Sequence, residues 1–188
     1  IDGDKVGSID LTPYHSSQNV FGFSEDSDGT LWIATDRAVL RFRDGKIVAI
    51  GTKEGMPIAT VFQIVVDKYT NFWLTSNRGV FYIKRANLEA VADGKSKQVN
   101  AINFAEADGM ASAQCNGGAG PAAMRAKDGS IWVATAKGVS IIQPDNLARY
   151  QAPPPPVVIE TVMVDDQLVN VNEDIKLSSS MRKIEMFY

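Results

Sequence analysis

The chain has 188 residues, 45% hydrophobic and 22% charged, with a formal net charge of −3. That length suits one core, or one domain and a piece of another, and mild acidity without a basic block argues against nucleic acid as a partner. No apolar run approaches the roughly 20 residues of a membrane-spanning helix, and Cys115, the single cysteine, cannot close an internal disulfide.

In chain order, the opening residues carry no basic-then-apolar signal segment, so any link to a membrane is expected through flanking segments missing here. The pair Asp2-Gly3 matches Asp44-Gly45 further on, and the chain is expected to open partway through an earlier copy of a repeat. The first full copy runs through "VFGFSEDSDGTLWIATDRAVLRFRDGKIVAI". Its short apolar segments are separated by Asp28-Gly29, Asp36-Arg37 and Asp44-Gly45. This reads as four antiparallel strands joined by tight turns, with the Asp-Gly pairs expected to form type I′ hairpins because Asp and Gly tolerate positive φ.

The second copy, "TNFWLTSNRGVFYI", places Trp73 41 positions after Trp32. In both copies an acid precedes the tryptophan by the same interval, Asp26 or Asp67, and Arg37 or Arg78 follows it. An insertion comes next, "RANLEAVADGKSKQV", predicted to hold a helix over Ala86 to Ala92 ended by Asp93-Gly94. Its charged residues, Arg85, Glu89, Lys95 and Lys97, are expected to form a solvated face. The third copy, "DGSIWVATAKGVSII", carries Trp132 and is interrupted twice relative to the others, between Ile83 and Phe104 and between Met110 and Trp132. A unit of about 40 residues with four strands has the size of a propeller blade. One blade cannot bury both faces alone, so the recurring tryptophans are expected to pack between blades.

Pro153 to Pro156 then form a semi-rigid spacer. A strand is expected from Val157 to Val164, a turn at Asp165-Asp166, and a second strand from near Leu168. The expected organisation is therefore blades over 1–152, a proline linker over 153–156, and the start of another domain over 157–188. Both ends are expected to be cut.

Catalytic constellations are scarce. His15 and Cys115 are the only residues of their kinds, so neither a Cys-His pair with further partners nor a multi-histidine metal site assembles readily; no cofactor or metal is expected. The run Gly117 to Gly120 lacks the Lys-Ser/Thr of a phosphate loop. Cys115 reads as a packed residue and Asp26, Asp28, Asp165 and Asp166 as turn formers. Binding remains. In a propeller the turns joining second to third strands and the loops leading to the next blade collect at one mouth. Here these are Asp36-Arg37, Asn77-Arg78, Ala136-Lys137 and the stretches 52–58 and 108–118. Arg37, Arg78 and Lys137, with Asn116, are the candidate ligand contacts, suited to an anionic, carboxylate-bearing or acidic carbohydrate ligand; the competing reading is that these are turn residues chosen for solubility.

The three tryptophan copies resemble the two-component-regulator propeller repeat found in sensor regions of bacterial hybrid histidine kinases and related diguanylate cyclases. Matching residues include Asp26, Gly29, Trp32 and Thr35, then Asp67, Trp73, Thr75 and Gly79, then Asp128, Gly129, Trp132, Thr135 and Gly138. Ala38 departs from the expected glycine, and Asn71-Phe72 stands for Gly-Leu. The stretch "CNGGAGP" resembles the last blade of such sensors, and "PPPPVVIETVMVDDQLV" the opening of the Ig-like Y_Y_Y domain. The resemblance implies an all-β fold, a partial β-propeller of about three four-stranded blades plus a piece of an earlier one, followed by the first strands of an Ig-like sandwich. It implies a non-catalytic fragment of the periplasmic ligand-sensing region of a membrane-bound signalling protein. A small-molecule or carbohydrate ligand and self-association are expected. The alternatives are an interaction or dimerisation scaffold and, more weakly, a propeller lyase, for which His15 lacks a carboxylate in its own segment.

Overall fold

In the computed structural model, residues 7–118, 120–147, 159–169 and 182–187 are described. The chain divides into two compact units, 1–147 and 148–188. Asp2-Gly3 and the prolines 153–156 lie outside the described residues, and no strand forms between residues 7 and 19.

The first unit holds three antiparallel sheets in succession. Strands β1 (Val20–Glu25), β2 (Leu31–Thr35), β3 (Ala38–Arg43) and β4 (Lys46–Gly51) pair in chain order. So do β5 (Gln63–Val66), β6 (Phe72–Ser76), β7 (Gly79–Ile83) and β8 (Ala101–Phe104). The third sheet has three strands, β9 (Ala123–Arg125), β10 (Ile131–Thr135) and β11 (Gly138–Ile142). The expected fourth strand is not found among the described residues. Pro144 stands two residues after β11; its fixed φ and missing N–H suit the short 3-10 turn Pro144–Asn146 and not a continued ladder.

The first strand of the middle sheet lies against the first strands of both others, so the three sheets stand side by side around a common axis as propeller blades do. Backbone bonds join neighbours: Val61 N–H donates to the Thr35 carbonyl and Cys115 N–H to that of Ser76, both at 3.0 Å. The middle blade is covered on both faces. Its strands "FWLTS" and "GVFYI" are buried throughout and accordingly show no period-two alternation.

Two apolar layers hold the blades together. Trp32, Ala34, Val39 and Ile50 of the first blade meet Ile64, Phe72, Leu74, Phe81 and Ile83 of the second. Val65, Trp73, Val80, Tyr82 and Phe104 of the second meet Ile131, Val133 and Ile142 of the third. The indole of Trp32 stands edge-on to Phe72 with centroids 4.7 Å apart. Each layer removes several large side chains from water, at about 1.5–3 kcal/mol apiece.

The insertion forms helix α1 (Arg85–Ala92), closed by Asp93 and left-handed Gly94 at φ 71°. Its charges do not form the expected solvated face. Leu88, Val91 and Ala92 enter the first interblade layer, while Glu89 pairs with Arg41 and with Arg43 (3.0 Å), and Asp93 with Arg41 (2.8 Å). Arg85 grips Asp26 with two bonds of 2.7 and 2.8 Å and lies 4.4 Å from the Phe72 ring. Arg41 and Arg43 belong to the first blade, so α1 bolts the second blade to the first. Lys95 and Lys97 fit the expectation better: both are exposed, and among the described residues Lys95 pairs only with Asp93.

In the second unit, β12 (Thr161–Val164) pairs with β13 (Gln167–Val169) and β14 (Ile184–Phe187) in the order β13-β12-β14. The Asp165-Asp166 turn has both residues at positive φ, 47° and 63°, as a type I′ hairpin requires.

Candidate functional site

The repeat recurs in hydrogen bonds as well as in shape. At the turn between second and third strands, a hydroxyl closes the loop: Thr35 Oγ1 donates to the Ala38 carbonyl, Ser76 Oγ to that of Gly79, and Thr135 Oγ1 to that of Gly138, at 2.7, 3.0 and 2.9 Å. The same three oxygens accept the N–H of Arg37, Arg78 and Lys137. Ser76, and not Thr75, is therefore the counterpart of Thr35. The Thr75 hydroxyl makes no hydrogen bond among the described residues.

The opposite turn carries a second correction. Asp26 and Asp67 accept the indole N–H of Trp32 and Trp73 at 2.8 and 2.9 Å. In the third blade that position is Ala126, and Asp128 corresponds to Asp28; the Trp132 indole bonds Ser130 Oγ instead, at 2.9 Å. The left-handed residue here is Gly29, Thr70 or Gly129, at φ 81°, 69° and 87°. Thr70, not Asn71, thus stands where glycine is expected. Asp44-Gly45 has both residues at positive φ, whereas at Asp28-Gly29 only the glycine does, so the second pair is not a type I′ hairpin.

Register fixes which loops share an end. Val20 pairs with Thr35 and Ala38 with Gly51, so the start of β1, the Asp36-Arg37 turn and the exit of β4 lie together. The second blade repeats this through Gln63 with Thr75 and Val80 with Phe104, and the third through Cys115 with Thr135. Arg37, Arg78 and Lys137 consequently occupy equivalent turns at one end of three adjoining blades, and all three are exposed. Asn116 is exposed at the same end, where its N–H donates to the Ala134 carbonyl as that of Phe62 donates to Thr75. Gly117 beside it packs so closely that an added Cβ would lie 2.3 Å from the Phe62 ring.

Acids at this end are engaged by the backbone. Burial raises the Asp36 carboxyl, but the N–H groups of Gln18 and Asn19 outweigh it and hold the group below its usual value. Glu54 accepts from Gly51 N–H at 2.8 Å, Asp108 from Ala105 N–H at 3.0 Å, and Glu106 from Ala113 N–H at 2.7 Å. That amide, with the backbone of Glu106 itself and a smaller effect of Lys137, keeps Glu106 ionised below the usual range. The guanidinium groups of Arg37 and Arg78 and the ammonium of Lys137 share this end with carboxylates whose lone pairs are partly taken by amides, while Glu106 and Asp108 stay exposed. Among the described residues Arg37 pairs only with its neighbour Asp36, at 3.8 Å. Arg78 forms no ion pair among the described residues.

Glycines of the repeat divide between the two ends. Gly29 and Gly129 shape the first turn. Gly79 and Gly138, at φ 110° and 114°, open the third strand at the cation-bearing end. Ala38 replaces glycine there without positive φ, and its strand partner Gly51 provides the close approach instead, its Cβ position being 3.1 Å from the Arg37 carbonyl.

His15 does find a carboxylate, from outside its own segment: Nε2 lies 2.9 Å from Glu54. No group of three potential metal ligands occurs among the described residues. The Cys115 thiol is buried, which raises its pKa, and it contacts the Gly79 and Ala113 carbonyls, a packed residue rather than a nucleophile. Neither of two surface depressions is lined by Arg37, Arg78 or Lys137. One of about 770 Å³ is lined by Lys68, Arg125, Lys127 and Gly129 at the first-turn end, and one of about 520 Å³ by residues 12–16, 47–49 and Lys53.

A sequence profile described as two component regulator propeller matches residues 14–37. No curated protein matches the chain. Among solved structures, the extracellular domain of the putative hybrid two component system BT3049 from B. thetaiotaomicron is similar over 97% of this chain and 22% of its own, at 19% identity and a TM-score of 0.65. The extracellular domain of the putative hybrid two component system BT4673 from the same organism is similar over 76% of this chain and 19% of its own, at 15% identity and a TM-score of 0.54. The chain thus spans about a fifth of the length of these structures, and shares with them a propeller-like all-β fold. No helix among the described residues is long and apolar enough to cross a membrane.

Proposed function

We propose that this chain is part of the periplasmic ligand-sensing region of a membrane-bound signalling protein of the two-component kind, with a kinase or cyclase output encoded elsewhere in the longer protein. The observation that carries the reading is that the regulator-propeller profile falls on the first blade while the likeness to a sensor extracellular domain extends over 97% of the chain. In this reading the chain binds and does not catalyse. The start of a Y_Y_Y domain after the blades belongs to the same proposal.

The ligand contacts proposed are Arg37, Arg78, Lys137 and Asn116. Three cations on rigid, hydroxyl-closed turns, with nearby carboxylates engaged by amides, suit an anionic or carboxylate-bearing small molecule or an acidic carbohydrate. Binding would bias the arrangement of the sensing region by its difference in affinity for two states of the whole protein.

Calorimetry of the intact sensing region against uronic acid oligosaccharides and their neutral counterparts tests this. Acidic ligands should bind more tightly, and each of Arg37→Ala, Arg78→Ala and Lys137→Ala should cost about 1–2 kcal/mol, less at high salt. A triple alanine variant that binds as the parent does would return the three residues to the solubility role.

A further inference from the structure

Each interblade junction has the same two parts. The first is the repeat tryptophan, covered by the next blade: Trp32 is 0% exposed and Trp73 1%. The residue meeting each one's layer is the residue before the next blade's own tryptophan, Phe72 for Trp32 and Ile131 for Trp73. The second part is an ionic strap from just beyond the third strand of one blade to the first turn of the blade before it. Arg85, two residues after β7, holds Asp26. Asp145, three residues after β11, holds Lys68 at 2.8 Å and the Tyr69 hydroxyl at 2.7 Å. The strap is retained while its polarity is reversed.

The third blade offers both parts without a partner for either among the described residues of the first unit. Trp132 is 44% exposed, and its strand neighbours Met124 and Ile141 are exposed with it, as is Val139. The first turn of this blade reads Arg125-Ala126-Lys127. Ala126 removes the acid found in the other two blades, and Asp128 is engaged by the N–H and Oγ of Ser130 at 3.0 and 2.6 Å. Arg125 and Lys127 form no ion pair among the described residues and line the 770 Å³ cleft.

We propose that this face docks a further blade of the same repeat, from the same longer protein, whose residue two or three places beyond its third strand is acidic and meets Arg125 and Lys127. The occupant should also carry an aliphatic or aromatic residue immediately before its own tryptophan, to lie on Trp132. Charge selects an acid: the turn is cationic, like that of the second blade, which takes Asp145. A second copy of this chain fits poorly, because the side of the first blade it would present, Ile33, Leu40 and Ile47, is already covered by Leu11 and Tyr14. The inference rests on the reading of the chain as part of a longer propeller.

Carbodiimide cross-linking of the full-length protein, read by peptide mass spectrometry, tests it, because the reagent joins a lysine directly to a contacting carboxylate. Lys68 to Asp145 is the internal reference. The expected result is that reference link together with a link from Lys127 to an acid of the same chain lying two or three residues past a third strand. The reference link without any link at Lys127, or a Lys127 link joining two differently isotope-labelled chains, would overturn the docking while leaving the sensing-region reading intact. Loss of the reference link itself would remove the blade stacking on which both rest.

Discussion

A threonine at φ 69° is the least comfortable residue in the repeat. β-branched side chains clash with the backbone in the left-handed region, and Gly29 and Gly129 hold the same place without that cost. Thr70→Gly should therefore stabilise the chain by about 1 kcal/mol, seen as a higher urea midpoint with unchanged slope. Gly79 and Gly138 make the opposite comparison. Both have positive φ, but a Cβ at Gly79 would lie 2.2 Å from the Phe104 carbonyl, whereas at Gly138 it meets nothing. Gly79→Ala should cost at least about 2 kcal/mol and Gly138→Ala about 1 kcal/mol; equal losses would show that backbone strain alone decides. At this scale the sequence was legible where a residue's chemistry is unmistakable. Trp32, Trp73 and Trp132 occupy equivalent second-strand positions, as their shared frame implies. It misled where similar residues stand side by side: Thr75 beside Ser76, and Asp128 two places from Ala126. A one-residue shift in a strand turns a side chain to the other face, and the interval from each tryptophan, three residues after and six before, already points to Ser76 and Ala126, as the hydrogen bonds show.

The insertion shows how an element can be read correctly while its purpose is missed. Helix formers followed by Asp93-Gly94 gave α1 within one residue, yet the partners of its charges lie 46 and 48 positions away at Arg43 and Arg41, a separation no local pattern reveals. Arg41 is almost fully enclosed, and Glu89 is its shorter contact. Glu89→Gln should destabilise the chain by about 2 kcal/mol, since a buried guanidinium would keep only one charged partner. The same network sets a pH dependence. Arg41 first, and Lys95 after it, hold the Asp93 carboxyl below its usual value. A depressed carboxyl contributes stability above its unfolded pKa and loses it as pH falls through the folded one. Asp93→Asn should therefore be less stable than the parent at neutral pH, with the gap closing as pH drops below the ordinary carboxylate range of about 4. A gap that stays constant well below that range would mean the effect is steric.

At the scale of the whole molecule, blades follow one another because each buries what the one before exposes. The repeat spacing made this visible in the sequence, but of the two interruptions assigned to the third copy the one between Ile83 and Phe104 falls inside the second blade, where α1 stands between β7 and β8. Spacing did not reveal that the third blade shows three strands among the described residues, nor the reversal of charge between successive straps, which needs both partners in view. The mouth is legible in part: the register brings Arg37, Arg78, Lys137 and Asn116 to one end, while the engagement of Asp36, Glu54 and Glu106 by amides follows from loop geometry. The central claim, that the three tryptophans are equivalent residues in a stack of blades, is tested most directly by fluorine NMR of the dilute chain labelled with fluorotryptophan, the resonances assigned by single Trp→Phe variants. The account predicts two resonances insensitive to a soluble paramagnetic quencher, those of Trp32 and Trp73, and one strongly broadened, that of Trp132; equal broadening of all three would contradict it.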